Sequence, residues 1–444
     1  MSRVSIALLA LLALLVPTVA TAAPPDEPAW FVDASKLPFD GIPGLEAEQY
    51  WGIEQGAGYR MEVPTDWNGS LVMWAHGFRG DGLELTVDNH PLRPYLLANG
   101  FAWAASSFSA NGYAVGAGVR DTERLTRVFR HEVGRPDTTY VTGASMGGHV
   151  TARSIEQYPS RYDGAMPICG VLADNALFDY FLDYNVLAQQ LALGTSTYPP
   201  GPDYLTTTVP EIQAELEAVP GGWPVALDAD GEAFKQAVEL RSGGDRPNFD
   251  QAWSFWNSFP SFGGSAPGDF LFGVGASPQD GIAVDNTDVA YQLDLDPAIS
   301  DAEATLDDAI VRVSGDPDLR NAMSPNLASP LVTGDIDVPV LSLHNLGDLF
   351  VPFHNEVVYA HEVADAGKSE LLVQRAIRGV NHCGFTATEL TTAFDDLVTW
   401  VEDGVRPEGD DVRDPAAVAA PDYGCRFTDF ATPGGHLLAA PCPG

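Results

Sequence analysis

Tyr140-Val141-Thr142-Gly143-Ala144-Ser145-Met146-Gly147-Gly148-His149 is the stretch on which the reading of this chain turns. Thr138 to Thr142 is β-branched and aromatic, the make-up of a buried strand, and it runs without a spacer into Gly143. His149 to Tyr158 then has helical character and is stopped by Pro159. Strand, sharp turn and helix in immediate succession is the setting that lifts the serine of a G-x-S-x-G motif above the end of a sheet. Glycine on either side lets neighbouring backbone approach where a Cβ would collide. A hydroxyl alone is a weak nucleophile, so such a serine needs a base.

Working outward, the same strand-and-helix rhythm appears on both sides. Ser70 to Ala75 is a short apolar run between Asn68-Gly69 and His76-Gly77, and Phe101 to Phe108 is a second one. Pro94 to Asn99 suits a short helix capped by Gly100. Val119 to Glu132 places Leu125, Val128 and Phe129 on one helical face, and Gly164 to Ile168 reads as a further strand. The alternation stops near residue 171 and returns with strand Val338 to His344, helix Asn355 to Ala366, strand Leu371 to Ile377 and helix Phe385 to Val401. Parallel strands with crossover helices are implied, an α/β, doubly wound sheet. Between the two halves lies an insertion of roughly 160 residues, far longer than an ordinary βα connection. It opens with an apolar helical stretch, Leu172 to Leu193, and is rich in rings: Trp223, Trp253, Trp256, Phe249, Phe255, Phe259, Phe262, Phe270 and Phe272.

The expected organisation is a leader at 1–23, a first core part at 24–170, the insertion at 171–332, a second core part at 333–405 and a tail at 406–444. In the leader, Arg3 supplies a positive start, Val4 to Val16 an apolar run and Ala20-Thr21-Ala22 a small-residue cleavage site. The run is shorter than the ~20 residues that cross a bilayer as a helix. Export is the expectation, with no stable membrane anchor. An exported chain makes its four cysteines informative, because disulfides persist in oxidising compartments. Cys425 and Cys442 lie in a Pro/Gly-rich tail and are placed to close a local loop, which leaves Cys169 and Cys383. Three pairings are open to four cysteines, and the sequence does not choose among them. No Cys pair has the close spacing of a zinc site, and no metal is expected.

Composition narrows the function further. There are 61 acidic against 23 basic residues, a net charge of −38, so no basic stripe exists to meet a nucleic-acid backbone or an anionic membrane. Only Lys36, Lys235 and Lys368 are lysines. Salt adaptation gives such a surface, and so does the Arg-rich usage of a GC-rich genome, which is the preferred reading.

The base and its orienting acid are expected downstream, in the order Ser, Asp, His. His382 lies in Gly379-Val-Asn-His-Cys-Gly384 after one strand, and Asp348 in Gly347-Asp348-Leu-Phe-Val-Pro352 after another. Both are at C-terminal strand ends, where ligand chemistry collects in open α/β sheets. Competing candidates fall away by position: His344 sits inside a strand, His131, His149 and His361 have no strand-end location, and Asp335 and Asp337 precede their strand. His354 reads as a surface or packing residue. His76-Gly77-Phe78-Arg79-Gly80 follows the first strong strand, and the backbone N–H groups of Phe78 and Met146 are the expected oxyanion donors. His76 is expected to hold that loop rather than react.

Together these motifs, over about 65–185 and 333–403, resemble the α/β-hydrolase superfamily, in the neighbourhood of secreted bacterial esterases of feruloyl-esterase and polyester-depolymerase type and of prolyl-oligopeptidase-like peptidases. The resemblance implies acyl transfer by Ser145, His382 and Asp348 with no cofactor, under a lid or cap made by the insertion. It implies a small-molecule or polymeric ester with an apolar or aromatic group as substrate, with a peptidase or amidase as the alternative. Tannase-type esterases pair a Cys beside the nucleophile with one beside the His. Here Ala144 stands before Ser145, a departure from the tannase pattern, and Cys169 is the proposed substitute partner for Cys383.

Overall fold

The computed structural model describes residues 30–220, 225–257, 270–276, 279–320 and 326–443. The expected leader Met1–Ala23, and Trp223, Phe259 and Phe262 of the insertion, lie outside the described residues. Eight strands form one sheet: β1 (Ala47–Glu54), β2 (Ala57–Pro64), β3 (Ser70–Ala75), β4 (Ala102–Ser106), β5 (Thr138–Ala144), β6 (Gly164–Ile168), β7 (Val340–Asn345) and β8 (Leu372–Ile377). Their spatial order is β1-β2-β4-β3-β5-β6-β7-β8. β2 is antiparallel to both neighbours, and all pairs from β4 to β8 are parallel. The β1–β2 hairpin closes through Gln55 and Gly56, both at positive φ, the tight turn whose twist matches its strands.

Side-chain alternation sorts the helices onto two faces. On one, Leu71 and Met73 of β3 pack with Phe129 of α2 (Val115–Glu132) and Ile155 of α3 (Met146–Gln157). On the other, Val72 and Trp74 pack with Leu96 of α1 (Arg93–Ala98) and with Phe394 near the chain's end. The period of two in the strand puts consecutive residues into opposite cores. Between β6 and β7 come α4 (Ala176–Leu193), α5 (Val209–Leu216), α6 (Ala229–Ser242), α7 (Phe249–Asn257), α8 (Phe270–Gly273), α9 (Asp301–Ala309) and α10 (Pro317–Arg320). After β7 and β8 come α11 (His354–Asp365) and α12 (Ala387–Asp403), the latter carrying Phe394. This strand order and these crossovers are those of the α/β-hydrolase fold.

Three helix starts differ from the sequence expectation by three residues or more. α3 begins at Met146, not His149, because the turn after Ser145 is already its first turn: the Gly148 N–H donates to Ser145 O at 2.8 Å. α2 begins at Val115, not Val119, across small residues that periodicity ignores. A Cβ on Gly118 would lie 2.7 Å from Val150 of α3, so these residues set how closely the two helices meet. α4 begins at Ala176, not Leu172, since positive φ at Asp174 breaks the regular path there.

The insertion's rings form mostly its own core. Phe234 lies against Trp253, Tyr184 and Phe272, and Phe249 lies against Trp253, all buried.

Candidate active site

β5 runs straight into Ser145, whose φ of 60° and ψ of −125° make the elbow. A non-glycine residue held there costs on the order of 1–3 kcal/mol, which the surroundings must over-determine. They do so by close approach. A Cβ on Gly143 would stand 2.2 Å from Gly147 O, and one on Gly147 would stand 2.0 Å from Ala75 O. The two motif glycines are therefore required by backbone contact. The Ser145 N–H is held by Ile168 O at 3.0 Å, tying the elbow to the end of β6.

Asp348 lies on the loop after β7 and is wholly buried. Its Oδ1 accepts from the N–H groups of Phe350 (3.0 Å) and Val351 (2.9 Å), and its Oδ2 faces His382 Nδ1 at 2.6 Å. A carboxylate only accepts, so Nδ1 carries the proton and Nε2 is left as the free acceptor. The structure thus joins Asp348 and His382 across 34 positions of sequence. The recorded neighbour of Nε2 is Cys383 Sγ at 3.4 Å, and no hydrogen bond to Ser145 Oγ is present among the described residues. In resting enzymes such contacts are often long and tighten only with substrate.

The loop bearing His382 is tied from several sides. Cys383 is bonded to Cys169 at the end of β6, and Cys425 to Cys442, so the expected pairings both occur. The sulfurs near His382 are bonded to each other and offer no thiolate to a metal. Asn345 Nδ2 donates to Asn381 O at 2.9 Å. Trp256 of α7 donates Nε1 to both Gly347 O and Val380 O at 2.8 Å, bridging the acid loop to the histidine loop. That bridge was invisible in the sequence, where Trp256 is one ring among many.

Phe78 and Met146 line the same cavity as Ser145, and Gly77 packs so near that a Cβ there would be 3.2 Å from Ser145 Cβ. Neither the Phe78 nor the Met146 N–H is engaged by a hydrogen bond among the described residues. His76 is buried, stacked on Phe108 at 4.0 Å, with its nitrogens against Gly77 O and Ser107 O. Burial, then the nearby Arg79 charge, push its pKa down to about 3, so it stays neutral and holds the loop. Arg79 is paired with Asp88 and the Thr86 carbonyl. Its charge is met within that loop, and it does not line the cavity beside Ser145.

The cavity beside Ser145 is walled by Phe178 and Phe181 of α4, Val274, Ile282 and Val284 of the insertion, and Phe350 beside His382. Phe350 meets the His382 ring edge-on at 5.2 Å. Tyr113 also lines it, its hydroxyl 3.0 Å from His149 Nδ1. Lone aromatics in loops gave no signal for either role.

The fold is that of the α/β hydrolases. No family model matches the chain. A curated relative, an o-phthalyl amidase from Xanthobacter agilis, is 23% identical over 416 residues, covering 82% of this chain and 90% of its own. Among solved structures, feruloyl esterase B from Aspergillus oryzae superposes with a TM-score of 0.46 at 16% identity, over 84% of each chain. A tannin acyl hydrolase from Aspergillus niger does so with a TM-score of 0.42 at 16% identity, over 84% of this chain and 86% of that one.

Proposed function

We propose that this chain is an exported serine hydrolase that cleaves carboxylic esters through an acyl-enzyme. The observation that carries the reading is the His382 Nδ1–Asp348 Oδ2 contact of 2.6 Å, made beside a cavity whose wall includes Ser145 on its strained elbow. His382 takes the Ser145 proton as the hydroxyl attacks, and the Phe78 and Met146 N–H groups receive the developing oxyanion. His382 then returns the proton to the leaving group, and water repeats the sequence to release the acid. Asp348 orients the imidazole and stabilises it when charged.

The apolar wall favours an apolar or aromatic acyl or alcohol group, small or borne on a polymer, with the insertion acting as lid. Neither Lys nor Arg lines the cavity among the described residues, so an acyl group bearing a carboxylate has no charge partner there. Export is supported by the leader-like Met1–Ala23 and by the two disulfides, and no described helix is long and apolar enough to cross a membrane.

Amide cleavage is the second reading, favoured by the amidase relative and by the machinery that ester and amide hydrolysis share. The deciding experiment compares p-nitrophenyl esters of graded acyl length with matching anilides, for wild type and Ser145→Ala. Ester turnover lost on the order of a million-fold in the variant is expected. Turnover that survives the substitution refutes the assignment, and anilides turned over faster than esters would favour the second reading.

A further inference from the structure

His344, expected inside a strand, is wholly buried on β7. Its two nitrogens, however, both face acceptors. Nε2 lies 2.8 Å from Val351 O, and Nδ1 lies 3.2 Å from Glu356 Oε1 on α11. A neutral imidazole carries one N–H and can serve only one of them, whereas an imidazolium serves both. At His76, whose nitrogens also face two carbonyls, burial and the Arg79 charge favour the neutral ring. The difference at His344 is a carboxylate.

That carboxylate is itself held. Glu356 Oε2 accepts from Ser342 Oγ at 2.6 Å and from Gln374 Nε2 at 2.6 Å, so two donors besides His344 meet this carboxylate. On its other side the His344 ring looks toward the acid of the site, with Nε2 3.9 Å from Asp348 Oδ2. Val351, whose carbonyl His344 holds, also donates its N–H to Asp348 Oδ1 at 2.9 Å. His344 therefore touches the acid loop at the residue that orients Asp348. Other ionisable groups near this cluster are Tyr359 and Tyr423 beside Glu356, and Arg246 and Tyr180 beside Asp348. Burial pulls the His344 pKa down, but the Glu356 bond and charge, helped by Asp348, outweigh it, and the net direction is up.

We propose that His344 is a positioning residue for Asp348: a buried imidazolium, paired with Glu356, that braces the acid loop through Val351 and balances the Asp348 carboxylate from behind. The inference rests on the reading of Ser145, His382 and Asp348 as the reacting trio. Its consequence is electrostatic. With a cation behind it, Asp348 exerts less than its full charge on His382, and losing that cation strengthens its hold on the imidazolium formed in the reaction.

Two measurements on the full chain test this. In a protein labelled with 15N-histidine, with His344→Asn used to assign the signal, both His344 ring nitrogens carry protons at neutral pH in wild type and only one does in Glu356→Gln. In kinetics on an uncharged p-nitrophenyl ester, Glu356→Gln moves the acid limb of the kcat/KM profile to higher pH by about one unit, while the plateau stays within a few-fold. A purely structural role moves the plateau and leaves the limb in place. A wild-type His344 with one unprotonated ring nitrogen overturns the proposal, whether or not the variant folds, and so does an unmoved limb. Failure of the underlying function is separately visible: Ser145→Ala then keeps its turnover, whereas failure of this inference alone leaves Ser145→Ala inactive.

Discussion

Asp348→Asn is the perturbation whose outcome the geometry specifies most closely. The replacement is isosteric, and its orientation is dictated by the two backbone N–H groups, of Phe350 and Val351, that already donate to Oδ1. An amide satisfies them only by placing its oxygen there, which puts its NH2 where Oδ2 stood, 2.6 Å from His382 Nδ1. Two donors cannot share that contact, so His382 must shift its proton to Nε2, the nitrogen that has to accept from Ser145. The fold is spared, because the two loop bonds persist. Loss of the correct tautomer in a comparable triad costs about 10⁴ in kcat, or roughly 5 kcal/mol of transition-state stabilisation. The assay is kcat on a good p-nitrophenyl ester at pH 8, beside a thermal melt of each protein. A melt close to wild type with turnover down by three to five powers of ten is expected. A variant that keeps a tenth or more of wild-type kcat would refute the assignment of Asp348 as the orienting acid.

Further outcomes follow from other contacts. Gly147→Ala forces a Cβ to 2.0 Å from the Ala75 carbonyl, so the elbow must distort; activity falls below a hundredth of wild type, and a normal kcat would contradict that packing. Among matched aryl-acyl esters, a free carboxylate on the acyl ring lowers kcat/KM at least about ten-fold, since the cavity wall presents no described cation and the chain's net charge is −38; equal rates would dispose of the apolar reading. His149 is satisfied as a neutral ring, accepting from the Tyr113 hydroxyl and donating to Pro330 O, and burial lowers its pKa to about 4. The unfolded chain binds that proton first, so the contribution of His149 is complete above pH ~6.5 and is lost as pH falls toward 4, about 3 kcal/mol in all. His149→Gln should therefore flatten the decline of Tm between pH 6.5 and 4, and parallel Tm curves would rule the effect out.

The core was legible because its physics is local. Apolar runs of strand length flanked by turn residues located β3, β5 and β6 to within two residues, and alternation with helical segments implied the parallel sheet. Ser145 was legible for the same reason, since strand, glycines and helix are consecutive. Asp348 and His382 came from the rule that chemistry gathers at C-terminal strand ends. The helix starts at Val115 and Met146 were missed because Gly118 and Gly148 answer to partners far away in sequence, not to periodicity.

By itself the sequence determined the α/β alternation, the elbow and the short set of residues able to act with it, because spacing along a chain constrains what neighbouring backbone can do. Only the tertiary structure decided which cysteines pair, which rings face the cavity and which merely fill the insertion. The same holds for Trp256, which ties the two active loops together through its single N–H. His344 is the sharpest case. Its place in a strand is plain from sequence, but its charge depends on Glu356 and Asp348 approaching it from two other parts of the chain, and a proton's position follows distance in space.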